Sequence, residues 1–298
     1  MSRSDWESKF SAWSQGPGKS EAERCENARR VVTNCLTDAG VLRKYGLEVF
    51  AQGSYPNRTN IPQESDVDIC VRTDQVFFGE YPQGLTRESF GFLEAPFTYR
   101  QFKDDVGRAL AERFADEVTR GDKCFTLHEN THHVDSDIVP TFEHRRYYQR
   151  YPQKFHAGTA FIPDSAAMPI YNWPLQHIAN GRAKHARTGD RFKKVVRILK
   201  RLQFDMIENG AIKEKMIPSY ALECCAYNIA DALFKTPSWF DQMKTAIAEI
   251  HGAATTASDG DRWVEVNELK WLFHGAPWTK EQVADLMLKM FAYAELAK

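Results

Sequence analysis

Two pairs of aspartates are the residues best placed to do chemistry. Asp66 and Asp68 flank Val67 at the opening of an apolar run, Val67 to Val71, and Asp135 and Asp137 flank Ser136 within another, Val134 to Val139. Side chains alternate along a strand, so residues i and i+2 share a face, and each pair presents two carboxylates on one side. Asp137-Ile138-Val139-Pro140 repeats the pattern of Asp68-Ile69-Cys70-Val71. If the two strands are neighbours, three carboxylates meet. Hard oxygen donors in such a cluster suit Mg²⁺ or Mn²⁺ rather than zinc, and two such ions can clamp the attacking and leaving oxygens of a phosphoryl displacement. A lone DxD is more often a turn or a strand end, so its surroundings decide. About a dozen residues before Asp66 stands Gly53-Ser54, directly after the strand-like run Leu47 to Ala51. Glycine lets backbone approach a phosphate closely, and serine adds a hydroxyl and an N–H for the same anion.

A basic helix supplies the opposite charge. In Arg191 to Ile207, Lys193, Arg197 and Lys200 fall at i, i+4 and i+7, with Val195, Ile198, Leu199 and Leu202 opposite. One face is expected to pack and the other to present cations. Such a stripe is commonly a solvated face. Yet between Arg182 and Arg201 the lone acid is Asp190, in a chain whose net charge is -1. Local positive charge facing an acidic metal cluster suits a nucleoside triphosphate, with Lys194 and Arg201 as solvent-facing flanks. His177 and Asn180 could read a base edge or cap a helix start. His132, His133, His144 and His156 are too scattered for a metal cluster. Arg145, Arg146 and Arg150, interleaved with Tyr147, Tyr148 and Tyr151, could mimic a nucleic-acid patch, which the near-neutral balance disfavours.

The elements that must position these groups follow from periodicity. Val31, Val32, Cys35, Leu36 and Ala39 lie at helical spacing in a long helix from about Ser20 to Leu42, which Gly46 stops. Leu47 to Ala51 and Val67 to Val71 are predicted strands, and Thr73 to Pro96, rich in Gly and Pro, a surface loop. Phe102, Val106, Leu110, Phe114 and Val118 mark a helix with one buried stripe. Cys124 to His128, Val134 to Val139 and Gly158 to Ile162 are further strands. Beyond about Asp164 the longer elements are helices: Arg191 to Ile207, Ser219 to Phe234, Trp239 to His251 and Lys280 to Ala297. The chain therefore divides into a mixed lobe and a helical one.

Composition narrows the function. At 298 residues, 43% hydrophobic and 27% charged, the chain has the profile of a globular protein with a real core, not of disorder. Lys plus Arg number 39 against 40 Asp plus Glu, which argues against coating long nucleic acid. Six cysteines without a CxxC pair suit reduced thiols in a cytoplasm. No apolar run approaches the roughly 18 residues of a membrane span, and the N-terminal segment lacks a signal-peptide core. A cytoplasmic protein with no membrane partner is expected.

The order strand, Gly53-Ser54, DxD and a third strand-borne aspartate resembles the signature of the DNA polymerase β-like nucleotidyltransferase superfamily. GSYPNRTNIPQESDVDICV and HVDSDIVPTF are similar, more specifically, to the cGAS/DncV-like nucleotidyltransferases, the bacterial cyclic-oligonucleotide synthases of anti-phage CBASS systems. Trp173 to Gly181, Arg191 to Lys200 and Pro218 to Glu223 resemble segments of that family's helical lobe. The resemblance runs from about Gln52 to Tyr227, with weaker echoes to the end.

It implies an α+β fold: a two-lobed polymerase β-like core, its mixed sheet flanked by helices, plus a C-terminal helical lobe. Residues 1–165 would be the catalytic core, including the long N-terminal helix, and 166–298 the nucleotide-binding lobe, with the active site in the cleft. Gly53 and Ser54 would hold the donor triphosphate. Asp66 and Asp68 would bind two Mg²⁺ (or Mn²⁺) ions, and Asp137 would complete one metal site beside the attacking hydroxyl. Lys200 and Ser219 match positions that grip the β and γ phosphates, and Tyr220 matches an aromatic that stacks on the base. The family's single aspartate three residues before a proline selects Asp137, leaving Asp135 a solvated strand-end residue or a spare ligand. The expected product is a cyclic di- or trinucleotide made from nucleoside triphosphates, with pyrophosphate release, by a monomer that signals to a downstream effector. Alternatives are a linear-product synthase, an RNA-tailing or antibiotic-modifying transferase, or a catalytically silent nucleotide-binding module. The last should have lost a carboxylate or Gly53-Ser54, and all are present. The animal relatives' zinc insertion is absent.

Overall fold

The computed structural model describes residues 1–62, 66–130, 134–149, 151, 154–256 and 260–297. The order of its elements is α1 (Arg3–Trp13), α2 (Lys19–Asp38), β1 (Leu47–Gln52), α3 (Ser54–Asn57), β2 (Val67–Glu80), α4 (Tyr99–Phe114), β3 (Val118–Arg120), β4 (Phe125–Leu127), β5 (Ser136–Tyr147), β6 (Phe155–Phe161), β7 (Ile170–Asn172), α5 (Pro174–Arg187), α6 (Phe192–Glu208), α7 (Ser219–Asn228), α8 (Trp239–Thr255) and α9 (Lys280–Tyr293). They form two compact units, a sheet unit of residues 18–56 and 65–175 and a helical unit of residues 1–17, 57–64 and 176–298. The later boundary thus falls at 175/176, and two early segments belong with the C-terminal helices.

In the sheet unit, β1 runs antiparallel to β2, β2 parallel to β5, and β5 antiparallel to both β4 and β6, with β3 and β7 beyond them. The sheet is therefore mixed, as expected. The central strands are covered on both faces, so they read as apolar runs rather than clean alternations. Helices α2 and α4 cover the sheet through stripes at helical spacing, Cys25, Ala28, Val32 and Leu36 on one and Phe102, Val106 and Leu110 on the other. Thr98 opens α4 with a capping box to Gln101.

One expected loop is a strand. β2 continues past Thr73 to Glu80, and β5 continues past Val139 to Tyr147, the two keeping company through Glu80↔Arg146 after a register shift between Thr73 and Phe77. A bulge of this kind breaks the period-two pattern by which a strand is recognised. The extension consumes the basic stretch. Arg145 pairs with Glu143 and lies 4.2 Å over the Phe77 ring, while Arg146 pairs with Glu80 and lies 4.5 Å over Trp173. His144 is buried against Tyr171. His132, His133 and Arg150 fall outside the described residues.

The helical unit has its own core, built from α6 to α9 and closed by α1, whose Trp6, Phe10 and Trp13 project from one stripe. Glu7 of α1 accepts the backbone N–H groups of Trp239 and Phe240 at 3.0 and 2.7 Å, capping α8 from a distance in sequence. Among the described residues no helix is long and apolar enough to cross a membrane.

Candidate active site

The two aspartate-bearing strands are neighbours. Asp68 on β2 is the register partner of Asp137 on β5, and partners in a strand pair project from the same face. Just upstream the Val67 N–H donates to the Asp135 carbonyl at 3.0 Å, so Asp66 and Asp135 stand together where the strands begin. Asp135 Oδ1 accepts the Glu129 N–H at 2.6 Å. Asp137 Oδ1 accepts from the Thr126 hydroxyl at 2.8 Å.

Gly53-Ser54 joins this cluster through β1. Gln52, the last residue of β1, is paired with Asp68, and the chain then turns at Gly53 with φ +73 into Ser54, the first residue of α3. A Cβ on residue 53 would stand 2.0 Å from Asp68 Oδ2. Glycine is therefore required twice, for the left-handed backbone and for the space its missing Cβ leaves to the carboxylate.

These donors suit a hard cation. Carboxylate oxygens from adjacent strand starts match Mg²⁺ or Mn²⁺. The nearby Cys124 thiol is held protonated, because burial and the charge of Asp137 push its pKa up to about 11. Among the described residues no three His, Cys, Asp or Glu side chains are already gathered tightly enough to hold an ion. Like charges repel, and Asp137 is engaged by Thr126. A hollow of about 550 Å³ elsewhere in the sheet unit, lined by Lys44, Tyr45, Asp105 and Arg108 among others, includes none of these carboxylates.

In the helical unit the basic stripe of α6 departs from expectation. Lys193, Arg197 and Lys200 are 4%, 7% and 2% exposed, so the cationic face is buried rather than solvated. Arg197 donates from Nε to the Ser14 carbonyl at 2.9 Å, with Nη2 on the same oxygen and Nη1 on the Arg58 carbonyl. It ties the end of the α1 segment and residue 58 to α6, and burial lowers its pKa to about 10. Lys200 lies 3.9 Å from Glu223 Oε2.

Glu223 is the residue that sequence reasoning missed. It is buried on α7, accepts from His177 Nε2 at 2.9 Å and from the Thr59 hydroxyl at 2.8 Å. Burial alone would raise its pKa, but His177, Lys200 and Thr59 outweigh that and hold it well below the usual carboxylate range. Its signal was present: one acid inside the apolar run ALECCAY of a helix must be paired. His177 and Asn180 both lie inside α5, not at its start, and Asn180 donates to the Val266 carbonyl at 2.9 Å. Ser219 opens α7, and Tyr220 beside it donates to Glu265 at 2.8 Å with its ring against His177.

Comparison with known proteins converges on one group. Residues 179–295 match the cGAS/DncV-like nucleotidyltransferase C-terminal helical domain. The chain is 37% identical to the cyclic dipyrimidine nucleotide synthase CdnE of Legionella pneumophila and 35% identical to the protein of that name from Cecembia lonarensis, covering 98% of each of these relatives and 98% and 97% of itself. The structure of the Rhodothermus marinus CdnE c-UMP-AMP synthase with Apcpp and Upnpp superimposes with a TM-score of 0.86 at 28% identity, over 98% of this chain and 97% of that one. Matches of this identity over nearly the whole chain, together with the helical-domain match, show that the chain belongs to the cGAS/DncV-like nucleotidyltransferase family.

Proposed function

We propose that this chain joins nucleoside triphosphates into a cyclic di- or trinucleotide, releasing one pyrophosphate for each bond formed. The observation that carries the reading is the Asp68–Asp137 register pair with Gly53 bare against Asp68. Full-length relatives named as cyclic nucleotide synthases support it.

In each round a ribose hydroxyl oxygen bonds to the α-phosphorus, the bond to the β-phosphate bridging oxygen breaks, and pyrophosphate departs. Gly53 and Ser54 orient the donor phosphates with backbone N–H and hydroxyl groups. Two Mg²⁺ or Mn²⁺ ions held by Asp66, Asp68 and Asp137 would neutralise the triphosphate and lower the pKa of the attacking hydroxyl. Asp137 accepts the hydroxyl proton. Lys193, Lys200 and Ser219 hold the polyphosphate, Tyr220 supports a base, and Arg197 serves them by fixing the frame. A second round on the linear intermediate closes the ring. Pyrimidine triphosphates are the first substrates to try, since the relatives of 37% and 35% identity are named as dipyrimidine synthases. The product would act in the cytoplasm, on an effector that binds cyclic nucleotides in anti-phage signalling, and the synthase would work as a monomer.

The test is to incubate the protein with the four α-³²P-labelled triphosphates and Mg²⁺ or Mn²⁺, treat with phosphatase, and separate the products beside D66N. A phosphatase-resistant product absent from D66N is expected. Complete release of label as phosphate, or the same product from D66N, would sink the reading.

A further inference from the structure

Thr126 stands in a lateral row of residues on the carboxylate-bearing face of the sheet. Gln52 of β1 pairs with Asp68 of β2, Asp68 with Asp137 of β5, Asp137 with Thr126 of β4, and Thr126 with Thr119 of β3. Register partners project from one face, so the row runs amide, carboxylate, carboxylate, hydroxyl, hydroxyl across the strands. Within it the Thr126 hydroxyl donates to Asp137 Oδ1 at 2.8 Å. The Thr119 hydroxyl is engaged elsewhere, with His128 Nε2 at 2.8 Å.

The opposite face of β4 keeps Thr126 in that row. Its neighbours Phe125 and Leu127 are 3% and 0% exposed, so a one-residue slip of this short strand would bury the hydroxyl and turn both apolar side chains to the other face. Phe125 seats against Gly107 in the interior of α4, where a Cβ would stand 2.6 Å from the Phe125 Cζ. Glycine weakens a helix interior relative to alanine, and here it makes room for the ring that anchors β4. Thr126 is half-buried, and its position is set by the core beneath it. Its β-branch restricts χ1, so the hydroxyl is presented with little freedom.

A hydroxyl bond to a carboxylate is charge-assisted and directional. Without such a bond, a carboxylate on a strand is free to turn about its terminal torsion and to offer a cation one oxygen or both. We propose that Thr126 is a positioning residue that fixes the rotation of the Asp137 carboxylate, taking Oδ1 and reserving Oδ2 for the cation beside the attacking hydroxyl. On the other side of the row Asp68 is met by Gln52 and Gly53, so the two carboxylates are held by different neighbours and can be tested apart. The proposal rests on the nucleotide-polymerising reading, in which Asp137 is the third carboxylate, and adds the group that aims it.

The experiment compares the full chain with T126V, T126S and T119V in two readouts: Mn²⁺ occupancy, followed by the electron paramagnetic resonance signal of the free ion, and steady-state turnover. T126V keeps the branched shape and removes the hydroxyl. It is expected to weaken Mn²⁺ binding about tenfold and to lower kcat by about tenfold or more, with the KM for triphosphate unchanged. T126S should restore both, and T119V, one strand further along the row, should match the parent in both. In a D137N background T126V should have no further effect on Mn²⁺ occupancy, because the bond it removes serves that carboxylate. Thermal melts identify any variant that fails to fold, and T126A replaces T126V if T126V does. Parent-like binding and kcat in T126V would overturn the proposal, as would tighter Mn²⁺ binding in T126V, an equal loss in the D137N background, or no Mn²⁺ binding by the parent. Ring formation by the unmutated chain is scored separately. A synthase indifferent to T126V refutes the positioning role alone, whereas Mn²⁺ occupancy that depends on Thr126 through Asp137 in a chain that makes no ring refutes the functional reading alone.

Discussion

Asp68 and Asp137 are register partners on adjacent parallel strands, so two stretches far apart in sequence deliver their carboxylates to one face. Two like charges side by side destabilise a pair unless a cation joins them. D68N or D137N is expected to cut product formation about 10²–10³-fold or more. The melting temperature should hold or rise, because each substitution relieves repulsion. Turnover assays beside thermal melts test this, and full turnover in either variant would remove that aspartate from the chemistry.

Gly53 offers a sharper test, because Gly91 of the sheet unit shares its positive φ but not its surroundings. Gly53 and Gly91 have φ +73 and +72, yet a Cβ would meet Asp68 Oδ2 at 2.0 Å at the first and nothing within 4 Å at the second. Both alanine variants carry the left-handed strain, about 1 kcal/mol. Only G53A must also displace the Asp68 carboxylate. Similar stability losses with activity lost in G53A alone are the expected result. Equal activity in the two would mean that Gly53 serves only the turn.

The sheet-unit site was legible because its signal is local: Gly53-Ser54 and the two DxD pairs each lie within a few residues, and strand alternation sets their faces. The helical unit was less so. Arg197 shares a stripe with Lys193 and Lys200, and spacing alone could not tell that it would bond the Ser14 and Arg58 carbonyls, far away in sequence. Helix α1 is short and leans on a distant core, so the helical spacing of Trp6, Phe10 and Trp13 is its one local signal, and α5 carries few apolar residues to mark a stripe. The strand continuing to Glu80 was hidden by its bulge. What short-range pattern cannot reveal is which distant backbone a long cation will hold.

That assignment of Arg197 predicts a separation of effects. Lysine keeps the charge but cannot fork to two carbonyls. R197K should lose about 1–3 kcal/mol of stability in denaturant unfolding, while its KM for triphosphate moves little below the melting range. K200M should raise KM and also lose stability, because it leaves the buried Glu223 carboxylate without the ammonium beside it. An unchanged melt with a raised KM in R197K would return Arg197 to the phosphates.

Glu223 makes the helical unit sensitive to acid. Its carboxyl is held near pH 2 in the fold against an ordinary value of 4.5, burial being outweighed by His177, Lys200 and Thr59. The folded form binds its proton less readily than the unfolded one. The stabilisation is therefore complete above about pH 4.5 and drains away as pH falls toward 2. His185, lowered from 6.5 to about 4 by burial, gives a separate loss that begins near pH 6.5 and ends near 4. E223Q keeps the shape but leaves Lys200 buried without its counter-charge, at an expected cost of about 3 kcal/mol at neutral pH. Its stability should then decline with acid mainly through the higher window, and a parent-like fall between pH 4.5 and 2 in E223Q would place that titration on another group.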